Sequence, residues 1–322
     1  MLVYSIIAAR YASMSAGTPT PTSTATLAPL PVQAMRNAKV ISVINMKGGV
    51  GKTLLSANVF RELHVRKQKR VLLIDFDPQY NLSQLLLSQM DYMSLKSANK
   101  TLFAIMDPPT VTSVFQTATE DLLDVGDVES YTHCLNVASP GVELNLIAGD
   151  FELAKINLRE NPVALRFPRI RFRNFIQEAK KLYDLIVLDC NPSTSFLSRA
   201  ALEVSSHLVV PIRPDRYSVL GAEMLLEFMN MLPTMEMPPK QIMVVNGVRG
   251  QLAGPEKVAV EELRADPSLG PQTLVSAVPF SDVLKARPDY AGFAADRGVP
   301  YAYDIKLKLG QVADELAQKL GL

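Results

Sequence analysis

The eight residues 46–53 (MKGGVGKT) restrict the fold of this chain more than any other segment. They follow the apolar residues 39–45 (KVISVIN), which are typical of a buried strand, and helical spacing of apolar residues begins after them. Three glycines within four residues allow the backbone to curl and direct several N–H groups at one anion, while a helix beginning at about Lys52 adds partial positive charge. A strand, a glycine-rich loop and a helix in this order predict a phosphate-binding loop.

Two side chains of this loop fit the chemistry of a nucleoside triphosphate. Lys52 supplies a full charge for the β and γ phosphates, and the hydroxyl of Thr53 is suited to ligate Mg²⁺. The common pattern G-x-x-x-x-G-K-[ST] is not met, because Met46 replaces its first glycine and a second lysine, Lys47, follows. The predicted nucleotide-binding residues of the loop are Lys47, Gly48, Gly49, Val50, Gly51, Lys52, Thr53 and Leu54.

Apolar segments of strand length alternate with segments of helical periodicity along the rest of the chain. Strands are predicted at residues 71–74, 143–147, 185–188, 207–210, 242–245 and 274–278, and helices at 54–65, 168–182, 219–231, 255–263 and 305–320. Short continuous apolar runs are typical of strands that are buried on both faces. We therefore predict an α/β fold of the P-loop type, with a mainly parallel twisted sheet, helices on both faces, and ligands at the carboxyl ends of the strands.

Three aspartates follow two of these predicted strands. Asp75 and Asp77, in the sequence DFDPQ, come directly after residues 71–74, and Asp189 closes the run 185–188. Because the carboxyl ends of parallel strands share one edge of a sheet, we expect all three carboxylates beside the phosphate-binding loop.

Composition limits the remaining possibilities. The 33 Lys and Arg residues nearly balance the 32 Asp and Glu residues, so polyanion binding would require a local basic patch. Cys134 and Cys190 form no C-x-x-C pair, which favours a reducing compartment and no cysteine metal site. No segment approaches the ~20 apolar residues of a membrane span.

Residues 1–34, rich in Ser, Thr, Pro and Ala, are predicted to form a flexible extension, or to lie upstream of the start that the cell uses, before a single domain at 35–322.

The loop KGGVGKT resembles the deviant Walker A loop of the ParA/Soj/MinD superfamily of dimeric ATPases. The resemblance implies that Lys47 reaches the partner's nucleotide, in a homodimer that sandwiches two ATP molecules. It implies that Asp77, in the first switch, orients and polarises the attacking water, with Asp75 near Mg²⁺. The run that ends at Asp189 resembles a Walker B strand holding Mg²⁺ through water, although Asn191 replaces one proline of the family sequence. The catalytic residues so implied are Lys47, Lys52 and Asp77, and the metal residues Thr53, Asp75 and Asp189.

The resemblance also implies an adenine site and a surface for DNA. It places Asn246 at the adenine edge and Pro279 against the base. Relatives of the ParA type bind nonspecific DNA as ATP dimers, and a ParB-like or other partner protein stimulates their hydrolysis and release. Of two DNA-binding arginines in these relatives, Arg249 approximately matches the first; Phe280 occupies the second position, and the DNA-binding residues predicted here are Arg249, Lys285 and Arg287.

Two other classes share the nucleotide residues. A MinD-like regulator at the membrane needs a basic amphipathic tail, whereas Lys319 is the only basic residue of the last dozen. A biosynthetic ATPase, related to the cobyrinate-amidating or dethiobiotin-forming enzymes, needs catalytic groups of its own, and the three histidines fall in no recognisable motif. We therefore predict a cytoplasmic, nucleoid-associated ATPase that partitions or positions plasmid DNA, chromosomal DNA or another large cargo, without a membrane partner.

A further basic set lies in and beside the helix predicted at 168–182. Arg169, Arg173 and Lys180 fall on one helical face, with Arg166 and Arg171 nearby. A solvated helix face accounts for this spacing. If a second surface for DNA or for a partner exists, this set is the candidate.

Overall fold

The computed structural model describes residues 36–108, 123–232, 238–250, 252–285, 290–298 and 302–322, which belong to one compact unit built on an eight-stranded sheet. The strands are β1 (Lys39–Val43), β2 (Val71–Phe76), β3 (His133–Ser139), β4 (Val142–Ile147), β5 (Leu185–Cys190), β6 (His207–Ile212), β7 (Lys240–Val248) and β8 (Val278–Pro279). Their order is β3-β4-β2-β5-β1-β6-β7-β8, and every neighbouring pair is parallel except β3 with β4. The predicted fold class is confirmed.

Ten α-helices accompany the sheet in the described residues. They are α1 (Lys52–Lys67), α2 (Asn81–Leu86), α3 (Gln89–Ser97), α4 (Leu102–Met106), α5 (Leu153–Asn157), α6 (Pro162–Leu182), α7 (Phe196–Val204), α8 (Arg216–Asn230), α9 (Gly254–Ala265) and α10 (Ala302–Leu320). In the described ranges, no helix combines the length and the apolar character needed to cross a membrane.

The sheet separates two apolar layers, because alternate residues of a strand face opposite sides. In β2, Leu72 and Ile74 belong to the layer that contains buried residues of α6, α7 and α8. Val71 and Leu73 belong to the layer that contains buried residues of α1 and α10. All residues of β2, β5 and β6 are buried, which explains their continuous apolar sequences.

The strand predicted at residues 274–278 is wrong over most of its length. Only Val278 and Pro279 form β8. The backbone N–H groups of Val275 and Ser276 donate instead to the two carboxylate oxygens of Glu315, at 2.7 and 2.8 Å. A side chain of α10 thus takes the hydrogen bonds that a neighbouring strand would otherwise receive.

The helix predicted to begin at Pro168 begins at Pro162. Asn161 caps it, accepting the N–H of Val163 at 2.9 Å, and Pro162 occupies the first turn, where a missing N–H costs nothing. Pro168 therefore lies inside α6 and does not start it.

Arg171 lies apart from the other arginines of α6, since it is buried and not at the surface. Its guanidinium donates to the carbonyl oxygens of Ile105 (2.7 Å) and Asp124 (2.8 Å). The basic face predicted for this helix is therefore formed without Arg171.

The sequence does not predict β3 or the short helices α2 to α5 and α7. No residue of β3 is fully buried, because it is the antiparallel edge strand. The short helices have five to nine residues, too few for a clear periodicity.

Candidate nucleotide-binding site

The glycine-rich loop connects β1 to α1 and leaves open space in front of its glycines. Gly49 and Gly51 have φ values of +74° and +88°, which favour glycine. No atom lies within 4 Å of the place where a Cβ of Gly48 or Gly49 would stand. At Gly51, which precedes α1, an added Cβ would approach Nδ2 of Asn246 to 2.2 Å. The loop therefore has open space at Gly48 and Gly49, where an anion would bind, and is closely packed against Asn246 at Gly51.

Lys52 is buried at the base of this loop, with 8% of its surface exposed. Its Nζ lies 3.4 Å from the carbonyl oxygen of Lys47. Burial lowers the pKa of Lys52, while the neighbouring carboxylates of Asp189 and Asp77 act in the opposite direction. The ammonium group thus lies between the loop backbone and the acidic edge of the sheet.

Asp189 receives two hydroxyl hydrogen bonds from the first helix. Thr53 donates to its Oδ2 at 2.7 Å, and Ser56 donates to its Oδ1 at 2.8 Å. Burial raises the pKa of Asp189 to about 6, against the effect of these hydroxyls and of Lys52. Ser56, which sequence reasoning missed, lies one helical turn after Lys52, and that spacing is the signal that could have identified it.

Asp75 lies beside Asp189, because β2 and β5 pair these two residues in register. Its Oδ2 accepts the backbone N–H and the hydroxyl of Ser83 at 2.8 and 2.7 Å. Burial first, and then the charge of Asp189, raise the pKa of Asp75 to about 8. At Gly149 an added Cβ would lie 2.9 Å from the carboxyl carbon of Asp75, so the carboxylate is enclosed by backbone on that side.

Asp77 lies next along the same edge and is also mostly buried. Its Oδ1 accepts the N–H of Gln79 at 2.9 Å. Burial raises the pKa of Asp77, and both the Gln79 N–H and the Lys52 ammonium oppose that rise. The structure therefore brings the three predicted aspartates together with Lys52 at one edge.

The donor set fits Mg²⁺ bound together with a phosphate. Thr53, Asp75 and Asp189 offer the oxygen ligands that Mg²⁺ prefers. In the described residues, no group of three or more His, Cys, Asp or Glu side chains converges to hold a metal alone. Mg²⁺ usually keeps several waters and binds phosphate oxygens together with one or two carboxylates.

Lys47 is exposed, in contrast to the buried Lys52. Its backbone N–H donates to Oδ1 of Asn45 at 2.8 Å, and its Nζ lies 5.8 Å from the ring centre of Tyr217 in α8. At Gly221 of the same helix, a Cβ would lie 2.9 Å from the Cβ of Lys47. Lys47 therefore lies against α8, with its ammonium group near the ring of Tyr217.

Asn246 and Pro279 lie at the same edge of the sheet. Nδ2 of Asn246, in β7, donates to the carbonyl oxygen of the buried Val50 at 2.6 Å, so this side chain supports the loop from behind. Pro279 is buried in β8, next to β7. Their predicted contacts with adenine stay predictions.

A family model described as an AAA domain matches residues 38–239. The chain belongs to this AAA-domain family. Its sequence is 30% identical over 188 residues to the sporulation initiation inhibitor protein Soj of Bacillus subtilis, across 58% of this chain and 63% of Soj. The resemblance to the ParA/Soj group is confirmed.

Solved structures agree on the fold of this AAA-domain protein. A plasmid partition protein of Borrelia burgdorferi is similar with a TM-score of 0.57 and 17% identity, over 88% of this chain and 100% of that one. Cobyrinic acid a,c-diamide synthase of Mycobacterium smegmatis, with bound ADP and magnesium, is similar with a TM-score of 0.61 and 16% identity, over 88% and 97%. Among eight curated relatives, the chain spans from 41% to 69% of their lengths, and for all but one less than two thirds.

Two of the predicted DNA-binding residues of this AAA-domain protein lie close to the ring of Phe280. The guanidinium of Arg249 lies 4.4 Å from the Phe280 ring centre, and Nζ of Lys285 lies 5.3 Å from it. Both cations are exposed, and Lys285 also pairs with Asp282 at 2.6 Å. The third predicted residue, Arg287, lies outside the described residues.

A cleft beside Thr53 and Leu54 was not anticipated from the sequence. Its wall includes residues of α2 and α3, with Lys285 on another side. Tyr80 and Tyr92 stack there, with ring centres 5.1 Å apart and planes 5° from parallel. Tyr80 directly follows the sequence DFDPQ and has a φ of +43°, which is uncommon for a residue with a side chain. The stack thus connects the segment that carries Asp77 to α3.

Proposed function

We propose that this protein hydrolyses ATP and that its ATP-bound dimer binds nonspecific DNA, so that hydrolysis switches the binding and positions a plasmid, a chromosome or another large cargo. The observation that carries the proposal is the different environment of the two loop lysines: Lys52 is buried near the carboxylates of Asp189 and Asp77, whereas Lys47 is exposed beside α8. The sequence similarity to Soj and to a virulence-plasmid ParA family protein of Chlamydia psittaci supports the choice of a ParA-type ATPase.

The residues of one protomer perform the steps before hydrolysis. The open loop offers its N–H groups to the phosphates, and Lys52 adds a positive charge close to them. Mg²⁺, held by Thr53 with Asp189 and Asp75 nearby, would neutralise charge on the phosphates. Asp77, oriented by the Gln79 N–H, accepts a hydrogen bond from the attacking water and aligns it.

Lys47 and an apolar face of α8 provide the surface for a second copy. Tyr217, Leu220 and Met224 are 72%, 49% and 52% exposed, at spacings that place them along one side of the helix. Exposed apolar side chains that cluster in this way mark interaction surfaces. Lys47 lies at one end of this face, beside Tyr217. If a second copy covers the face, Lys47 of the first copy would lie near the nucleotide bound by the second copy.

Arg249 and Lys285 supply the DNA contacts in this proposal. Both are exposed and rest on Phe280, which holds them close together. Cations that contact phosphates alone give binding without sequence preference and with strong salt dependence.

The cleft with the stacked tyrosines favours a second candidate, a biosynthetic ATPase that takes a small substrate beside Thr53. The fold is shared with cobyrinic acid a,c-diamide synthase, which at 16% identity indicates fold alone. If that candidate is correct, the protein will bind a small-molecule substrate in an ATP-dependent manner, and it will not bind DNA in that manner.

The decisive experiment measures binding of the Asp77→Ala protein to random-sequence duplex DNA with ATP, with ADP and without nucleotide, at two salt concentrations. We expect tight binding with ATP only, weakened by salt, because the variant keeps nucleotide and cannot turn it over. Asp304→Ala, a change of an exposed aspartate in α10, is the matched control and should release DNA as the unmodified protein does. Absence of DNA binding in every state would overturn the DNA part of the proposal, and normal ATP hydrolysis by Asp77→Ala would overturn the role of Asp77.

A further inference from the structure

A groove between α6 and α7 has an apolar floor and a basic rim. Ile170 of α6 and Phe196 of α7 are partly buried and line it together with the buried Ala200. Val163, at the N-terminal end of α6, lines the same groove and is 76% exposed. The space between the helices has a volume of about 520 Å³. This α6/α7 groove lies away from the phosphate-binding loop residues described above.

Among the described residues, four arginines line the α6/α7 groove together with a single acidic side chain, Glu203. Arg169 binds Glu203 through two hydrogen bonds, each of 2.7 Å. Arg166, Arg173 and Arg199 are exposed, and within the described residues their side chains have neither an ion pair nor a hydrogen bond. The groove therefore carries three positive charges that the described structure does not compensate.

This combination fits an acidic amphipathic helix better than it fits nucleic acid. Guanidinium groups pair with carboxylates through two parallel hydrogen bonds, and an apolar floor accepts the apolar stripe of a helix. A DNA backbone would gain nothing from Ile170 and Phe196. Arg166 and Arg173 lie seven positions apart on α6, about 10 Å along the axis, so acidic residues two turns apart on a docked helix would meet both.

The N-terminus of α7 also connects the groove to the metal-binding edge. The hydroxyl of the buried Ser198 lies 3.2 Å from Oδ1 of Asn191 and 3.2 Å from the hydroxyl of Ser193. Ser193 in turn donates to the same Asn191 oxygen at 3.0 Å. Asn191 follows Asp189 by two positions. A partner side chain that packs on Phe196 would therefore contact α7, the helix whose Ser198 is hydrogen-bonded to Asn191.

We propose that the α6/α7 groove binds an acidic amphipathic helix of a partner protein, and that this binding changes the rate of ATP hydrolysis through the segment 190–195. The regulatory part rests on the proposed ATPase function. The docking part stands on the groove alone.

The test uses a synthetic helical peptide of about 18 residues, with leucines along one side and glutamates two turns apart beside them. Its matched control carries glutamine in place of each glutamate. Fluorescence anisotropy with the full chain should show binding of the glutamate peptide at least about tenfold tighter than the glutamine peptide. The double variant Arg166→Glu/Arg173→Glu should lose that preference, while Lys306→Glu/Lys308→Glu, which changes two exposed lysines of α10, should keep it.

The outcomes separate the docking, its coupling and the proposed function. Equal binding of both peptides, or unchanged binding by the arginine variant, overturns the docking. If the arginine variant keeps its melting temperature and loses ATP-dependent DNA binding instead, the groove is a nucleic-acid surface. The arginine variant should hydrolyse ATP at the basal rate, and the peptide should alter that rate at least about twofold only in proteins that bind it. Peptide binding without a rate change overturns the coupling; absence of ATP hydrolysis in every protein overturns the proposed function and leaves the docking intact.

Discussion

The phosphate-loop edge of the sheet and the segment between α9 and α10 are held together by different means. At the loop edge, β1, β2 and β5 pair in register and the functional carboxylates extend from fully buried strands. In the second region, side chains hold the backbone: Glu315 accepts two N–H groups, and Arg297 donates to the carbonyl oxygens of Val283 and Lys285, each at 2.7 Å. A strand ladder distributes stability over many bonds, whereas the second region, apart from the short pairing of β8 with β7, depends on individual side chains.

The largest expected effect concerns Lys52 at the loop edge. Lys52→Ala removes the buried charge that faces the phosphates, and we expect ATP binding at least about tenfold weaker. Isothermal titration calorimetry with ATP and Mg²⁺ measures it. Unchanged affinity would contradict the assignment of Lys52 to the phosphates.

Lys47→Ala is the matched change on the exposed side of the same loop. Because Lys47 is exposed and not buried with the carboxylates, we expect ATP binding by the monomer to be preserved and dimer-dependent turnover to be lost. Sedimentation velocity with ATP, together with phosphate release, checks both. Normal dimerisation and turnover would show that Lys47 does not act across an interface.

Leu73→Ala tests the apolar packing of the loop-edge strands. Leu73 is fully buried in β2, so the cavity should lower the free energy of unfolding by about 2 to 5 kcal/mol. Urea unfolding followed by circular dichroism gives this value. A loss below that range would mean that the neighbouring side chains close the cavity.

Glu315→Ala tests the second region. The two N–H groups it binds are partly accessible to water, so we expect a smaller loss, about 1 kcal/mol. Gln311→Ala, an exposed position on the same helix, is the control in the same unfolding measurement. If both variants unfold alike, the backbone at 275–276 does not need Glu315.

The smallest expected effect is that of Asp314→Asn. Hydrogen bonds from Arg66 first, and then from Lys67, lower the pKa of Asp314 from 3.8 to about 2. Because the folded-state pKa lies below the ordinary value, the interaction stabilises the fold at pH values above 3.8 and is lost as the pH falls toward 2. The pair is more than a third exposed, so solvent screening limits its contribution to less than about 1 kcal/mol. Unfolding of both proteins near neutral pH and at about pH 3 should show the difference shrinking with acid.

The predictions from sequence were most accurate for the buried strands that end at predicted functional residues. The strands before the loop, before Asp75 and before Asp189 are mostly apolar, so their ends could be located and their meeting at one edge expected. Residues 274–278 also contain several apolar residues. The side chain of Glu315, which is distant in sequence, nevertheless accepts the N–H groups of Val275 and Ser276. Local pattern cannot anticipate such a bond.

The sequence by itself determined the loop, the parallel α/β class and the set of aspartates, because glycine conformation, apolar periodicity and strand order act locally or through simple rules. Only the tertiary structure decided that Asn246 supports Val50, that Ser83 holds Asp75, and that Phe280 gathers Arg249 and Lys285. It also buried Arg171 while leaving Arg166 and Arg173 exposed in a groove. These outcomes depend on which distant backbone and side-chain atoms come within hydrogen-bonding or packing distance, and that is fixed when the sheet and its helices assemble.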